Sequence, residues 1–373
     1  MKNPLPKEVY LKRTRPQESD IRTEYFRDQT KIIHSYPFRR LKHKTQVFYA
    51  PGIDHICTRI EHVLHVATIA ATIVRGLNIS DGNWELDTDL AYAIGLGHDL
   101  GHAPFGHEGE KELAVKVGEK KGFLHEINSY RVVEHLANHG QGLNLTYAVK
   151  DGIICHNGED FKLNNLEPAQ TANDLENIRD RNNLPCTYEG CIVRISDRIA
   201  YLGRDVEDAM TAGFITRDNI PANIKAELGS ANTDIINTLI NDVVGYSWNR
   251  ETVGFSPAKQ EFVKELGEFN YRNIYYHPKL IKYRRHISII IGTLYDYFTE
   301  LFQRHGREFE VYKTMDLAID RNFGDYIYKL RAVYEPEGYV TRTIVADYIA
   351  GMTDIYALDC MRQISLPVPL EFQ

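Results

Sequence analysis

Cysteine is scarce: the 5 present, Cys57, Cys155, Cys186, Cys191 and Cys360, are scattered, odd in number and never spaced as CxxC. This excludes a disulfide framework and a thiolate zinc site, and leaves reduced core thiols as the expectation. No run of about 18 apolar residues occurs, so no membrane span is expected. The opening MKNPLPKEVYLKRTRPQESD lacks the apolar stretch of a signal peptide, and a cytoplasmic location is expected. Strand-like alternation is rare, and internal repeats and low-complexity tracts are missing.

What is present suits a globular chain. With 373 residues, 43% of them hydrophobic, and a net charge of -7, the chain has material for a real core in one large domain or two. The charge is uneven. Between Lys2 and Lys44 basic residues dominate (Lys12, Arg13, Arg15, Arg22, Arg27, Lys31, Arg39, Arg40, Lys42, Lys44), while the carboxylate excess lies further along. Such an arm meets polyphosphate or nucleic acid, or is simply a solvated face.

Apolar residues recur at spacings of three and four across 60–77, 90–96, 129–136, 147–155, 190–210, 235–244, 287–302 and 342–350, which predicts helices. Loops are predicted at 78–83, 157–183 and 248–257 from their Asn, Asp, Gly and Pro content. The fold class expected is all-α, divided into a basic arm (1–24), a core (25–215) and a C-terminal helical region packed on it (216–373).

The densest chemistry lies in GLGHDLGHAPFGHEGE, Gly95 to Glu110, where the adjacent pair His98-Asp99 precedes His102 and His107. A His-Asp pair offers a divalent metal one imidazole nitrogen and one carboxylate oxygen. His98 and His102 stand four apart, so a helix would place both on one face. Any one of these histidines reads as a surface residue, but the cluster does not. Further donors lie at a distance. Arg59, His62 and His65 share a face of the stretch CTRIEHVLHVATIA, and spacing leaves open which histidine contributes. In EGCIVRISDRIAYLGRDVEDAM, Asp197, Tyr201 and Asp205 recur every four residues. A carboxylate inside so apolar a helix must be ligated or paired, with Arg194, Arg198 and Arg204 as the available partners.

The order Arg59-x-x-His62, His98-Asp99, Asp197 resembles the H...HD...D signature of the HD-domain metal-dependent phosphohydrolases. Together with FRRLKHKTQVF, HDLGHAPFGHEGE, FLHEINSYRVV, SDRIAYLGRDVEDA and NIYYHP, it resembles more closely their deoxynucleoside triphosphate triphosphohydrolase (dGTPase-like) branch, from about Arg27 to Phe298. The resemblance implies an HD-domain helical core with one divalent metal (Mn²⁺, Mg²⁺ or an Fe²⁺-like ion) on His62, His98, Asp99 and Asp197. It puts His102, His107, Glu110 and His125 around the reacting α-phosphate. It makes Arg59 and Arg198 phosphate contacts, and Gln46, Tyr201 and Asp205 sugar contacts.

The implied reaction is hydrolysis of a dNTP, of dGTP type, to deoxynucleoside and triphosphate, with His107 and Glu110 handling protons and His102 or His125 in the complementary role. The resemblance also implies a homo-oligomer, hexameric if it follows bacterial relatives, while a second dNTP as allosteric effector and single-stranded nucleic acid on the basic arm stay open as further partners. Where many relatives read ADDIAYxxHD, this chain reads SDRIAYLGRD, with Arg198 and Arg204 in place of an acid and a histidine. The rival readings are another HD phosphodiesterase or nucleotidase, and a non-catalytic nucleotide or nucleic-acid binder.

Overall fold

The computed structural model describes residues 1–49, 55–80, 84–118, 122–157 and 164–366. The predicted loops 78–83 and 157–183 fall partly outside them. Among the described residues the fold is all-helical, and β pairing is limited to two isolated bridges, Thr45 with Thr58 and Leu166 with Val253. The longer helices are α1 (Glu24–Ile33), α2 (Arg59–Ile79), α3 (Thr88–Gly97), α4 (Gly106–Val117), α5 (His125–Arg131), α6 (Tyr147–Ile154) and α7 (Tyr188–Thr211). They continue with α8 (Asn232–Ser247), α9 (Pro257–Asn270), α10 (Pro278–His305), α11 (Ala318–Lys329), α12 (Thr341–Ala350) and α13 (Asp354–Ser365).

Helix α2 starts at a capping box, in which Thr58 and Glu61 satisfy each other's backbone amides. It is apolar around most of its circumference and packs against α3, α7 and α8, as a core helix must. By length and composition it would also cross a membrane. Its burial between helices and the polar Arg59 and His62 at its start assign that apolar length to the core instead. The side chain of Asp87 caps α3, and that of Thr187 caps α7.

The apolar interior has two main parts. One gathers Ile32, Leu41, Val66, Ile94, Ile153 and Ile199 around α2, α3 and α7. The other gathers Phe298, Tyr312, Phe323, Tyr334 and Ile349 from the C-terminal helices. The second also takes in Ala103, Phe105, Leu113 and Phe123, so the histidine-rich segment lies between the two. All five cysteines are buried and unpaired.

The basic N-terminal residues divide between two environments. Arg13, Arg27 and Lys44 are neither a free arm nor a solvated face, because their charges are used internally. Arg13 donates to Asp28 at 2.6 Å, to Glu24 at 2.7 Å and to the Asn144 carbonyl at 2.7 Å. Arg27 is buried against Asp20 and Glu24. Arg39 and Lys42 remain exposed.

Asp28 is fully buried, and besides Arg13 it accepts from the backbone amide and hydroxyl of Thr146 at 2.8 and 2.7 Å. Asp28→Ala would take one of its two carboxylates from Arg13 and leave the Thr146 amide and hydroxyl without their acceptor. It should lower unfolding free energy by about 3 kcal/mol or more in urea denaturation. A change under about 1 kcal/mol would mean that the ion pair does not hold the arm.

Candidate active site

Three segments bring the metal-type donors together. Helix α2 presents Arg59 and His62 from its first turn, α7 presents Asp197 from its middle, and α3 ends where His98 and Asp99 begin. His62 Nε2 lies 3.0 Å from Asp197 Oδ1, which answers the question of Asp197's partner: it is an imidazole. Arg194 instead donates to the Asn183 carbonyl at 3.2 Å, and Arg204 pairs with Glu207 at 2.9 Å. His98 Nε2 lies 3.9 Å from Asp197 Oδ1 and 3.7 Å from Asp99 Oδ1. Asp99 Oδ2 accepts from Arg59 Nη1, and the other guanidinium nitrogens donate to the carbonyls of Thr45 and Gln46.

His98 Nδ1 sits 2.7 Å from the Gly95 carbonyl. A carbonyl only accepts, so this nitrogen carries the proton and Nε2 keeps its lone pair. That Nε2 is buried without a hydrogen-bond partner. His156, just beyond α6, is oriented in the same way, with Nδ1 2.6 Å from the Ile153 carbonyl. The sets His62, His98, Asp197 and His98, Asp99, His156 each have ligand atoms within 4.8 Å of one another. Neutral imidazole and ionised carboxylate are the ligand forms, and the surroundings favour both. Burial holds His98 below its ordinary value and pushes His156 down to about 3. For Asp197 burial acts upward, but the hydrogen bond from His62 together with the charge interactions of His62, His98 and His156 outweighs it and brings it to about 2. For Asp99 burial is likewise overcome, by Arg59 and the histidines, which hold it well below the usual carboxylate range. This donor set fits a divalent cation.

A second group adjoins the first. Glu110 Oε2 lies 2.9 Å from His125 Nδ1, 3.4 Å from His107 Nδ1 and 3.7 Å from His102 Nε2. Glu110 Oε1 accepts from the His125 amide at 3.1 Å and from Arg181 at 3.2 Å. His102 is fully buried, stacks on His125 at 4.5 Å and has no hydrogen-bond partner on either ring nitrogen among the described residues. The two groups meet where His125 Nε2 stands 3.1 Å from His156 Nε2. His156 Nε2 can only accept there, so His125 donates from both nitrogens and is an imidazolium. Burial opposes that charge, but Glu110 and Glu126 outweigh it and raise His125 to about 10. Burial raises Glu110, yet His125 and its neighbours hold it well below the carboxylate range.

His98 and His102 converge differently from the helical expectation. Helix α3 stops at Gly97, and the chain turns twice before α4. Gly101 is pressed against the next segment, where a Cβ would stand 2.2 Å from the Ser129 nitrogen. Phe105 and Gly106 both take left-handed backbone, with φ of 63° and 64°. A Cβ on Gly106 would meet the Gln46 carbonyl at 2.9 Å. These turns put His98 in one cluster and His102 in the other, a division that no regular helix would give.

Of the expected substrate contacts, Gln46 is buried with Oε1 unpartnered. Arg198 and Tyr201 follow Asp197 on α7, the first buried and the second half-buried. Asp205 Oδ2 accepts from the hydroxyl of Tyr275, and burial raises its carboxyl to about 7. His65 is half-buried and belongs to none of the donor groups among the described residues. His156, Arg181 and Tyr275 went unread in the sequence. His156 directly ends a predicted helix, which is the one signal it carried. Tyr275 closes a π-turn, Tyr271–Tyr275. Tyr271 and Tyr276 face solvent and bond each other at 2.9 Å, and Lys279 sits 5.5 Å from the centre of the Phe214 ring. Tyr283 lines a separate apolar cleft of about 370 Å³ with Tyr49 and Phe105.

Comparison with known proteins bears on the same residues. Residues 59–202 match the HD domain, and 253–363 match the phosphohydrolase-associated domain. A deoxyguanosinetriphosphate triphosphohydrolase-like protein of Caldanaerobacter subterraneus is 37% identical over 358 residues, covering 96% of this chain and 89% of the relative. One from Desulfatibacillum aliphaticivorans is 37% identical over 370 residues, with 96% and 92% covered. One from Clostridium tetani is 33% identical over 355 residues, with 94% and 88% covered. The chain belongs to the deoxyguanosinetriphosphate triphosphohydrolase-like family of HD-domain phosphohydrolases. Both histidine clusters fall within the HD match, and Tyr275 falls within the phosphohydrolase-associated match. The chain is therefore a hydrolase of the HD class, and it carries His and Asp groups close enough together to hold a metal ion.

Proposed function

We propose that this protein hydrolyses a deoxynucleoside triphosphate between the 5′ oxygen and the α-phosphorus, releasing deoxynucleoside and intact triphosphate. The observation that carries the reading is the junction of the two clusters, a set of neutral imidazoles and carboxylates beside a carboxylate-held histidine group, joined by His125 and His156 at 3.1 Å. His62, His98, Asp99 and Asp197 would hold the metal, with His156 beside them accepting from His125. When bound, a divalent ion polarises a phosphate oxygen and offsets charge at the phosphorus.

The remaining work belongs to the chain. Arg59 orients Asp99 and adds positive charge under the polyphosphate, and Arg198 meets its oxygens. Glu110 orients His107 and keeps His125 charged, so this cluster supplies a positioned proton for the 5′ oxygen that leaves. His107 is its half-buried, solvent-reaching member and is assigned the transfer. Gln46, Tyr201 and Asp205 take the sugar, and Tyr201 crowds the 2′ position against a ribose.

The test is product analysis with each of the four dNTPs by ion-exchange chromatography. Equal amounts of deoxynucleoside and triphosphate are expected, with GTP a poorer substrate than dGTP. Monophosphate plus diphosphate would move cleavage to another bond and favour the nucleotidase or phosphodiesterase reading.

A further inference from the structure

Asp354 opens α13, far in sequence from every residue of the site, yet its carboxylate is spent on the site's two framing segments. One oxygen, Oδ2, accepts from the backbone amide and the hydroxyl of Thr45, at 2.8 and 2.5 Å. The other, Oδ1, accepts from the backbone amide of Phe105 at 2.8 Å. The residue is 2% exposed. An Asp in the first turn of a helix ordinarily serves that helix's own amides. Here Thr353 takes the cap, its hydroxyl accepting from the Tyr356 amide at 3.2 Å, and Asp354 is turned outward onto other parts of the chain.

The two segments it holds matter for different reasons. Thr45 precedes Gln46, and the carbonyls of both accept from Arg59. Phe105 precedes Gly106, where α4 begins and carries His107 and Glu110. Phe105 is a bulky residue in the left-handed region (φ 63°, ψ 24°), a conformation that persists only when its surroundings impose it. Its ring is buried in the C-terminal core while its amide is held by Asp354. Lys44 adds a second tie, donating to the carbonyls of His102 and Ala350. The segments also touch directly where Gly106 meets Gln46.

We propose that Asp354 is a positioning residue for catalysis, by which the C-terminal region fixes the sugar-contact segment against the helix that bears the proton-transfer group. The proposal rests on the functional reading above. A staple that only stabilised the fold would change unfolding and leave turnover per folded, metal-loaded site intact. A positioning residue changes that turnover.

The experiment compares Asp354→Asn with wild type in the full-length, metal-loaded protein. Asn keeps the shape but offers one accepting oxygen to three donors. Hydrogen exchange around Thr45 and Phe105 should quicken, metal content should stay at the wild-type level, and kcat should fall by about 10- to 100-fold, more than KM rises. Turnover is measured with dNTPs and with bis(4-nitrophenyl) phosphate. If wild type hydrolyses only the latter, the triphosphohydrolase reading fails, while the variant-to-wild-type ratio still tests the brace. If it hydrolyses neither, there is no turnover for Asp354 to support and the proposal is overturned as well. Unchanged exchange, or kcat within about twofold of wild type, overturns the proposal. If Asp354→Asn does not fold, Thr45→Val and Thr45→Ser replace it. The serine variant, which restores the hydroxyl, should stay within about threefold of wild type while valine falls at least about tenfold. Equal turnover in the two would overturn the proposal.

Discussion

Asp197→Ala is expected to strip the purified protein of its divalent metal and of nearly all turnover. Asp197 is the point on which His62 and His98 converge, at 3.0 and 3.9 Å. Removing it takes a negative charge from the donor set and frees the His62 ring it orients. Loss of an outer-shell partner already weakens metal binding by about 10- to 100-fold, so loss of a direct ligand should exceed that range. Turnover should drop by about a thousandfold, which corresponds to the several kcal/mol that a Lewis acid contributes at a phosphoryl centre. Elemental analysis and a single-turnover assay on the same preparation read both quantities, and circular dichroism checks that the variant is folded. A variant that keeps its full metal content would remove Asp197 from the ligand set and leave it as a structural partner of His62.

How much of this was legible in the sequence depended on the surroundings of each element. Helices α2, α3, α7 and α12 bury most of their surface, so apolar spacing marks them plainly. Helices α4, α9, α11 and α13 bury only a minority of their residues, so that spacing marks them less plainly. The convergence of His62, His98, Asp99 and Asp197 was legible because their residue types are costly to bury and their order resembles a known signature. The tie from Asp354 was not, because one carboxylate meeting two distant amides leaves no periodic trace. His156 was missed for a related reason: its role depends on a ring nitrogen aimed by the Ile153 carbonyl, a matter of orientation and not of spacing. The basic N-terminal stretch shows the opposite error, since a run of cations reads as a surface while Arg13 and Lys44 are bound inside.

Glu110→Gln should separate proton handling from metal binding. Glu110 is the acceptor shared by His107 and His125 and reached by Arg181, and it makes no contact with Asp197 or His62 in these groups. Glutamine keeps the side-chain volume but removes the charge that sustains the His125 imidazolium and orients His107. Metal content should remain at the wild-type level while kcat falls by about 10²- to 10⁴-fold, the range spanned by general acid-base catalysis. His107→Ala should fall within the same range. If Glu110 acts through His107, the double variant should be scarcely slower than the worse single one, because residues that work as a unit do not add. Losses that multiply would instead mean that Glu110 acts through His125 independently of His107. A Glu110→Gln protein with near-normal turnover would exclude this carboxylate from the chemistry altogether.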